Sequence, residues 1–512
     1  MQYKNLGQLI SQNSQLFPNK THIYHYDRTY TFAETDSIVN RTAAVLASFG
    51  VAKDSKVAIL IGNSPEYMFA YFALMKLGAV AVPQNIFLKE KEISLNLNDC
   101  LADYIISSEA FAHVVSGVLE LVPSIKNVFA FEPTSFKSVN IYKADDAPLP
   151  KLIECLLDDL AVLIYTSGTT GRAKGVMLTH GNLLANAKQY TTVVSMNADD
   201  KITAVLPIFH AYAFLVCVII PLYVSGGVLL FDSVQDVGKE AYKKAVEAYK
   251  PTALIGVPQL FSVLARKRLT IKEQRALPFR FYMSGGAPLP LDTILKFRAS
   301  YGKHIVEGYG LSEASPIVAM NQLNNTKPGT VGPLLPEMSC KIIGEDGQEL
   351  GIDQEGELVV RGGNVMRGYW GLEAETAKVL SADGWLRTGD MAKIDEDGFI
   401  TIVDRLKDLI IAKGMNIYPR EIEECLYKHK SILHAAVLGV PEADGNEIVV
   451  AYVQLNAGET LSENDVKQYV KENFANYKVP KIVIFTDDIP VSPSGKVLKR
   501  ELRERLLREN PR

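Results

Sequence analysis

Apolar residues in the first 400 positions of the chain follow two alternating patterns. Continuous apolar runs, such as 57–61 (VAILI) and 253–257 (ALIGV), are typical of buried strands. Other segments carry apolar residues at helical spacing, such as 67–77, which follows the helix-start sequence NSPE at 63–66. This alternation predicts layered α/β structure. Because ligands of open α/β sheets bind beyond the carboxyl ends of strands, we expect a site at small-residue turns such as SGG at 284–286.

The pattern changes to short strands and polar turns after about residue 330, which predicts a small β-barrel over residues 330–404. A compact α+β pattern follows, and the charged sequence DRLKD at 404–408 marks the boundary before it. The predicted fold class is therefore α/β. We expect a large N-terminal domain of layered α/β subdomains plus the β-barrel, residues 1–404, and a mobile α+β C-terminal domain, residues 405–512.

Residues 211–224 are apolar except for two tyrosines. The segment is shorter than the about 20 residues of a membrane-spanning helix and contains Pro221. We therefore expect a buried helix and no transmembrane segment. The polar residues 1–5 lack the apolar core of a signal peptide, which favours a cytoplasmic protein.

Composition narrows the class of protein. The 512 residues are 47% hydrophobic and 22% charged, which excludes a disordered, collagen-like or coiled-coil protein. The formal net charge of -4 gives no indication of a nucleic-acid partner. The five cysteines are far apart and form no CxxC pair, so neither a disulfide framework nor a zinc site is indicated.

A glycine- and hydroxyl-rich loop at 165–175 (YTSGTTGRAKG) carries the strongest local signal. Predicted strands flank it, at 161–165 and 175–178. Glycines let the backbone approach a polyphosphate, hydroxyls and amide groups can bond its oxygens, and Lys174 supplies positive charge. Gly175 stands where a Walker A loop has serine or threonine. The composition alone would also suit a hairpin loop made of turn residues.

Four further motifs accompany this loop, at 307–313 (EGYGLSE), 384–390 (GWLRTGD), 404–408 (DRLKD) and 493–496 (PSGK). With the SGTTG loop, they resemble the motifs of the acyl-adenylate-forming superfamily, which includes acyl-CoA synthetases, amino-acid adenylation domains and luciferases. They occur in the family's order and spacing, and the resemblance covers essentially the whole chain.

The resemblance implies a two-step reaction. A carboxylate first attacks the α-phosphate of ATP to give an acyl-adenylate and pyrophosphate, and the thiol of coenzyme A then gives a thioester and AMP. The expected small molecules are a carboxylic acid, ATP, Mg²⁺ and coenzyme A. Because an anion attacks an anionic phosphate, the site must neutralise accumulating negative charge.

The resemblance also assigns roles residue by residue. The phosphates go to Thr166, Ser167, Gly168, Thr169, Thr170, Gly171 and Lys174. The adenine goes to Gly285, Gly286 and Ala287, and the second nucleotide motif supplies Glu307, Gly308, Tyr309, Gly310 and Ser312. Mg²⁺ goes to Glu313 and Thr169, and the ribose to Asp390 and Arg405. Lys496 bridges the substrate carboxylate and the α-phosphate, Lys407 is the hinge, and Gly414 belongs to the thiol channel.

The acyl pocket is expected beside His210, in the family's aromatic-histidine motif PIFH. Residues 211–217 hold no acid, and a buried ammonium without a counter-charge would cost several kcal/mol, so an amino-acid substrate is disfavoured. The pocket should be apolar. Its expected walls are Tyr212, Phe214, Gly256, Val257, Pro258 and Ser284.

The subclass depends on two features that point in different directions. Leu406 in the hinge is found in many aryl-acid ligases, whereas GMNIYP at 414–419 resembles the fatty-acyl group. We favour a medium- or long-chain fatty acid and keep an aryl acid of the 4-coumarate type as the alternative.

Three other readings stay open at this stage: a ligase that loads an acyl carrier protein, a luciferase-like oxygenase and a catalytically inactive nucleotide sensor. Intact Lys496, Glu313 and Asp390 argue against the sensor. Peripheral membrane contact and a monomeric or homodimeric state also stay open.

Overall fold

The structure, a computed structural model, describes residues 5–143, 155–166, 173–412, 415–441, 447–492 and 496–509. Two mainly parallel eight-stranded sheets form the larger part. The first contains, in spatial order, Gly368–Tyr369, Lys174–Thr179, Leu160–Thr166, Val80–Pro83, Lys56–Leu60, Tyr104–Ser107, Asn127–Ala130 and Val139–Asn140. The second contains Ile317–Met320, Ile305–Gly310, Phe281–Ser284, Ala253–Gly256, Lys201–Ala204, Gly227–Leu230, Thr21–His25 and Arg28–Thr31.

Helices pack on these sheets, and the largest apolar core spans both of them. The α-helices are Gly7–Leu16, Phe32–Ser48, Pro65–Leu77, Glu90–Asp99, Ala112–Leu121, His180–Val193, Ala211–Phe214, Ile220–Tyr223, Glu240–Tyr249, Pro258–Leu264, Ile271–Ala276, Leu291–Tyr301 and Glu373–Val379. Short 3₁₀ helices are Glu109–Phe111, Val234–Asp236, Ser312–Ala314, Leu406–Asp408 and Asn476–Lys478.

The helix Pro65–Leu77 shows why the sequence folds as predicted. Its first residue is a proline, and the Ser64 hydroxyl accepts a hydrogen bond of 3.4 Å from the Tyr67 amide. The helix ends at Gly78, whose φ of +65° is a left-handed conformation that glycine adopts freely. All of its residues except Glu66 are buried, so the helix lies within the core.

The apolar segment 211–224 forms the expected buried helix. It comprises two short α-helices, Ala211–Phe214 and Ile220–Tyr223, joined by a π-helical turn at Leu215–Ile219. Within the described ranges, no helix has both the length and the apolar character needed to cross a membrane.

The region predicted as a small β-barrel is a four-stranded antiparallel sheet, in the order Met338–Ile343, Gly356–Gly362, Leu386–Ile394 and Ile400–Arg405. Tight pairing between its last two strands sets Asp390 opposite Arg405.

The chain ends in a smaller α+β domain. A three-stranded sheet holds Ile432–Pro441, Glu447–Leu455 and Ile482–Phe485, and Ile410–Ala412 pairs with Met415–Ile417. The helices are Pro419–Tyr427, Glu463–Asn473 and Lys499–Glu509. Alternating residues of the sheet form two separate apolar clusters, so this domain has a core of its own.

Candidate active site

A cleft of about 2070 Å³ lies between the large domain and the C-terminal domain. It brings together residues from motifs that are far apart in sequence. The predicted site residues that line it are Thr166, Lys174, His210, Tyr212, Gly285, Gly286, Ala287, Glu307, Gly308, Tyr309, Gly310, Ser312, Glu313, Asp390, Arg405, Lys407 and Lys496.

Of the predicted wall residues, Tyr212 and Pro258 line the cleft, whereas Phe214, Gly256, Val257 and Ser284 are not among its lining residues. Phe214 is buried in the core, with its ring edge-on to Tyr71 at a centroid distance of 4.7 Å. Gly256 packs on the next helix: an added Cβ would lie 2.8 Å from Leu260 Cδ2 and 2.9 Å from Phe261 Cε2. These two positions therefore belong to the packing of the core and do not face the cleft.

Several predicted residues fall outside the described residues. They are Ser167, Gly168, Thr169, Thr170 and Gly171 of the phosphate loop, and Gly414 of the expected thiol channel.

The two ends of the phosphate loop are fixed by an antiparallel strand pair in which Thr166 lies opposite Lys174. The Lys174 ammonium forms an ion pair of 2.8 Å with Glu375 and lies 4.9 Å from the centre of the Tyr369 ring. Hydrogen bonds from Lys174 and Lys378 lower the pKa of Glu375 to about 2. A cation is therefore positioned where the sequence predicts bound phosphates.

Glu313 contacts the same tyrosine. Its Oε1 accepts a hydrogen bond of 2.9 Å from the Tyr369 hydroxyl, and its backbone carbonyl accepts one of 2.8 Å from the Met366 amide. Tyr369 thus contacts both the cation and the carboxylate, a role that the sequence motifs did not reveal.

The carboxylate of Asp390 is held on both sides. Tyr309 donates a hydrogen bond of 2.5 Å to Oδ2, and Arg405 Nε lies 3.2 Å from Oδ1. The Asp390 amide also donates to the Thr388 hydroxyl at 3.1 Å. The two predicted ribose contacts, Asp390 and Arg405, are therefore in direct contact, and both line the cleft.

Lys496 reaches the cleft from the C-terminal domain. Two hydrogen bonds join it to Ser492, from the Ser492 amide to the Lys496 carbonyl (2.7 Å) and from the Lys496 amide to the Ser492 hydroxyl (3.1 Å). Burial and the positive charges of Arg405 and Lys407 lower the pKa of Lys496 to about 8, and the negative charges of Asp390 and Glu313 oppose this shift. The Lys496 ammonium is therefore close enough to Asp390 and Glu313, which belong to two different nucleotide motifs, for their charges to affect it.

His210 lines the same cleft. Burial lowers its pKa to about 4, and the positive charge of Lys496 contributes in the same direction. The imidazole is consequently neutral at neutral pH, so it can accompany a bound carboxylate without adding a second fixed charge.

The Tyr212 ring packs against Gly285 in the predicted adenine turn. An added Cβ at Gly285 would lie only 3.0 Å from Tyr212 Cζ, so a residue without a side chain is required for this approach. In the part of the chain that the structure describes, the buried hydroxyls of Tyr212 and Ser284 have no hydrogen-bond partner.

Glu307 is a buried carboxyl group at the edge of the adenine turn. Its Oε1 accepts a hydrogen bond of 3.1 Å from the Leu289 amide. Burial raises its pKa to about 7, and the positive charge of Arg420 opposes this shift. Arg420 belongs to the C-terminal domain, so the two domains interact electrostatically at this point.

A second interdomain contact surrounds Asp404. Its two carboxylate oxygens accept hydrogen bonds from the backbone amides of Arg405 (2.8 Å) and Arg420 (2.9 Å). Lys499 pairs with Glu423 at 2.8 Å, and the charge of Asp404 also acts on Lys499. Sequence reasoning missed Arg420 and Lys499, because nothing in the local sequence distinguishes them from surface cations.

Comparison with known proteins identifies the family. Residues 10–370 match the model of the AMP-binding enzyme family, and residues 421–496 match that of the AMP-binding enzyme C-terminal domain. This chain belongs to the AMP-binding enzyme family. Within it, the chain is an AMP-forming CoA ligase of the acyl-CoA synthetase group.

Individual relatives cover nearly the whole chain. A long-chain-fatty-acid–CoA ligase of Bacillus subtilis (strain 168) is 33% identical, over 98% of this chain and 94% of its own. A feruloyl-CoA synthase of an Amycolatopsis species is 36% identical, over 99% and 100%. The crystal structure of ATP-bound MatB from Rhodopseudomonas palustris has a TM-score of 0.88 and 31% identity, over 98% and 99%.

Membership of this group means that the synthetase uses a carboxylic acid, ATP and coenzyme A. The residues present also suit a divalent cation. Glu313 Oε2 accepts no hydrogen bond from the described residues, and Mg²⁺ is commonly bound by one or two carboxylates together with substrate phosphates. Glu313 would hold the ion, which would neutralise phosphate charge.

Proposed function

We propose that the synthetase activates a medium- or long-chain fatty acid and transfers the acyl group to coenzyme A. One observation carries the proposal: His210 and the two residues after it, Ala211 and Tyr212, line the cleft together with Phe209 and Pro258, and none of these side chains is charged at neutral pH. An apolar acyl tail suits such surroundings, whereas a second charged group on the acid would lack a partner.

The chemistry follows from the charges around the cleft. Cationic Lys496 would contact the substrate carboxylate and the α-phosphate, and Lys174 and the phosphate loop would hold the β- and γ-phosphates. Asp390 and Arg405 would bind the ribose, and the adenine would lie on the turn Gly285–Ala287. These groups counter the negative charge that accumulates when a carboxylate attacks a phosphate.

The second half-reaction requires a different arrangement. A pantetheine arm must reach the acyl-adenylate after pyrophosphate has left, but Lys496 and its domain border the cleft in this structure. We infer that the domain of residues 405–512 rotates about Lys407, with the large domain of residues 1–404 as the fixed body. Lys407 is exposed in the 3₁₀ turn Leu406–Asp408, where a change of backbone angle disturbs no core packing.

A second candidate substrate is a hydroxylated aryl acid. The buried hydroxyls of Tyr212, which lines the cleft, and of Ser284, which directly precedes the cleft residue Gly285, are unpartnered among the described residues and could bond a polar ring substituent. The relative named feruloyl-CoA synthase supports the same candidate.

A coupled assay of AMP release over acetate, octanoate, palmitate, cinnamate and ferulate tests the proposal. We expect octanoate and palmitate to have a kcat/KM at least about tenfold above ferulate. The double variant Tyr212→Phe and Ser284→Ala removes only the two hydroxyls, so it should leave palmitate turnover unchanged. A preference for ferulate that this variant abolishes would replace the fatty-acid proposal with the aryl one. Carrier protein in place of coenzyme A tests the acceptor in the same assay.

A further inference from the structure

Tyr369 lies between the two charged side chains that are assigned above to the phosphates and to Mg²⁺. The Lys174 ammonium lies 4.9 Å from the centre of its ring, and its hydroxyl donates a hydrogen bond of 2.9 Å to Glu313 Oε1. All three residues line the cleft. The tyrosine is only 8% exposed, so both contacts are made inside the cleft and not on the outer surface.

The backbone around Tyr369 is joined to both elements that its side chain contacts. The strand Gly368–Tyr369 pairs with Lys174–Thr179, the strand that follows the phosphate loop. The Met366 amide donates a hydrogen bond of 2.8 Å to the backbone carbonyl of Glu313. The position of the tyrosine relative to the lysine and the carboxylate is therefore determined by backbone contacts.

The helix that follows this strand fixes the Tyr369 amide as well. The amide donates a hydrogen bond of 2.9 Å to the Thr376 hydroxyl, which donates one of 3.0 Å to the Leu372 carbonyl. Gly368 has a φ of +145°, and an added Cβ there would lie 2.9 Å from Thr376 Cγ2, so the glycine makes room for this threonine. A residue held in this way can orient the groups that its side chain contacts.

The Tyr369 ring suits a lysine that has to bind phosphate. The face of an aromatic ring attracts an ammonium group although the ring carries no net negative charge. Glu375, the ion-pair partner of Lys174 at 2.8 Å, carries such a charge and would repel an arriving phosphate. The ring contact can therefore persist when phosphates bind, while the hydrogen-bond donors of the ammonium turn to their oxygens.

The Tyr369 hydroxyl suits a carboxylate that has to bind a cation. It bonds Glu313 Oε1, whereas Oε2 accepts no hydrogen bond from the residues that the structure describes. One oxygen thus fixes the orientation of the carboxylate, and the other is left for a metal ion. Hydrogen bonds that orient a metal-binding carboxylate in this way commonly have a large effect on metal affinity.

We propose that Tyr369 is a positioning residue for adenylation: its ring holds Lys174 toward the β- and γ-phosphates, and its hydroxyl orients Glu313 toward Mg²⁺. One side chain would then fix the separation between the lysine and the carboxylate that holds the metal ion. Groups arranged in advance need no costly rearrangement when negative charge accumulates on the phosphates. The proposal rests on the roles given to Lys174 and Glu313 in the proposed function.

Calorimetric titration of the full-length protein with ATP, once in EDTA and once with excess Mg²⁺, tests the proposal. No carboxylic acid is added, so ATP is not consumed and the result does not depend on the acyl preference. Tyr369→Phe removes only the hydroxyl. We expect it to raise the Kd for ATP with Mg²⁺ by at least about tenfold and to change the Kd in EDTA by less than about twofold.

Tyr369→Met removes the ring as well, and the flexible methionine side chain limits the loss of packing. We expect the Kd for ATP in EDTA to rise by about threefold or more, because the ring contact with Lys174 is lost. Tyr26→Phe is the matched control: the Tyr26 hydroxyl donates to Asp236 Oδ2 at 3.3 Å, and neither residue lines the cleft. This control should bind ATP as the native protein does under both conditions, and thermal melts check the folding of each variant.

Double variants test whether Tyr369 acts through the two charged residues. Added to Glu313→Gln, Tyr369→Phe should change the Kd for ATP with Mg²⁺ by less than about twofold, because the carboxylate that the hydroxyl orients is already absent. Added to Lys174→Met, Tyr369→Met should change the Kd in EDTA by less than about twofold for the corresponding reason.

Equal weakening of ATP binding with and without Mg²⁺ in Tyr369→Phe would indicate a role in packing alone and would overturn the proposal. Native binding in both Tyr369 variants, with weak binding in Lys174→Met and Glu313→Gln, would overturn the proposal and leave the proposed function intact. Native binding in Lys174→Met and Glu313→Gln would show that the roles given to these two residues are wrong, and the proposal would fail with them.

Discussion

The Tyr309 hydroxyl donates a hydrogen bond of 2.5 Å to the carboxylate of Asp390, although the two residues are 81 positions apart. Arg405 holds the other oxygen of the same carboxylate at 3.2 Å. The proposed ribose contact is thus oriented before the nucleotide arrives, by one residue from each of two other motifs.

Removal of the Tyr309 hydroxyl should weaken ATP binding. A hydrogen bond to a charged group contributes about 1.5–3 kcal/mol, so Tyr309→Phe should raise the KM for ATP by about tenfold or more. Initial rates at varied ATP concentration measure this effect. Tyr190→Phe is the matched control, because the Tyr190 hydroxyl is buried without a partner among the described residues. Equal effects of the two variants would show that the contact with Asp390 does not orient the site.

The pH profile of adenylation should report Lys496, whose pKa is lowered to about 8, mainly by burial. The side chain is cationic below this value and neutral above it. We therefore expect kcat/KM for ATP–pyrophosphate exchange to fall as the pH rises through about 8, because this parameter reports the free enzyme. Lys496→Arg keeps its charge at all these values and should give a flat profile at a lower rate. A native profile that is flat between about pH 7 and pH 9 would contradict the assignment.

The two half-reactions should separate in two variants. Lys496→Ala should abolish most adenylation and largely spare thioester formation from supplied acyl-adenylate. Lys407→Pro should do the reverse, because proline fixes φ near about -65°, a value that suits the 3₁₀ turn Leu406–Asp408 and would hold the present arrangement. Pyrophosphate exchange and thioester release are measured separately, with circular dichroism as the folding control. Equal loss of both half-reactions in both variants would mean that one arrangement serves both steps.

Glu307 should make stability depend on pH. Its pKa rises from 4.5 to about 7 on folding, so its contribution is fully present below 4.5 and is lost as the pH rises through about 7. Glu307→Gln keeps an oxygen that can accept from the Leu289 amide and cannot ionise. We expect thermal melts of this variant to match the native protein in acid and to exceed its Tm at about pH 8, where ionisation costs up to about 3 kcal/mol. The exposed Glu345→Gln is the control and should behave as the native protein at both pH values.

Gly256 should affect stability and leave chain-length preference unchanged. A Cβ at this position would meet Leu260 and the Phe261 ring at less than 3.0 Å, so Gly256→Ala overpacks the core. We expect a loss of about 1–3 kcal/mol in unfolding free energy and an unchanged ratio of octanoate to palmitate turnover. Gly351→Ala is the control, because its nearest neighbouring atom would be 4.0 Å away. A shift toward shorter acids would return Gly256 to the acyl pocket.

The sequence predicted the strands around the phosphate loop and the residues of the nucleotide motifs, because each motif combines local backbone geometry with side chains of one chemistry. It could not predict that Tyr369 contacts both Lys174 and Glu313, since that contact depends on how the strand Gly368–Tyr369 pairs with Lys174–Thr179. Such pairings are set by the tertiary fold.

The position of Phe214 is a second feature that the sequence could not predict. Every residue around it is apolar, so no polar position marks which side of the helix faces the cleft and which faces the core. The π-helical turn that follows changes the direction of the side chains again. The packing of the Phe214 ring against Tyr71 shows that this side chain faces the core.

The ion pair between Lys174 and Glu375 means that the loop lysine already has a counter-ion before the nucleotide binds. That counter-ion is tethered in the same chain, so its effective concentration is far higher than that of a free anion. Chloride or inorganic phosphate would have to displace it with a single contact, whereas the triphosphate of ATP binds at several points at once. Exchange of counter-ions at Lys174 therefore favours ligands with several linked charges over simple anions.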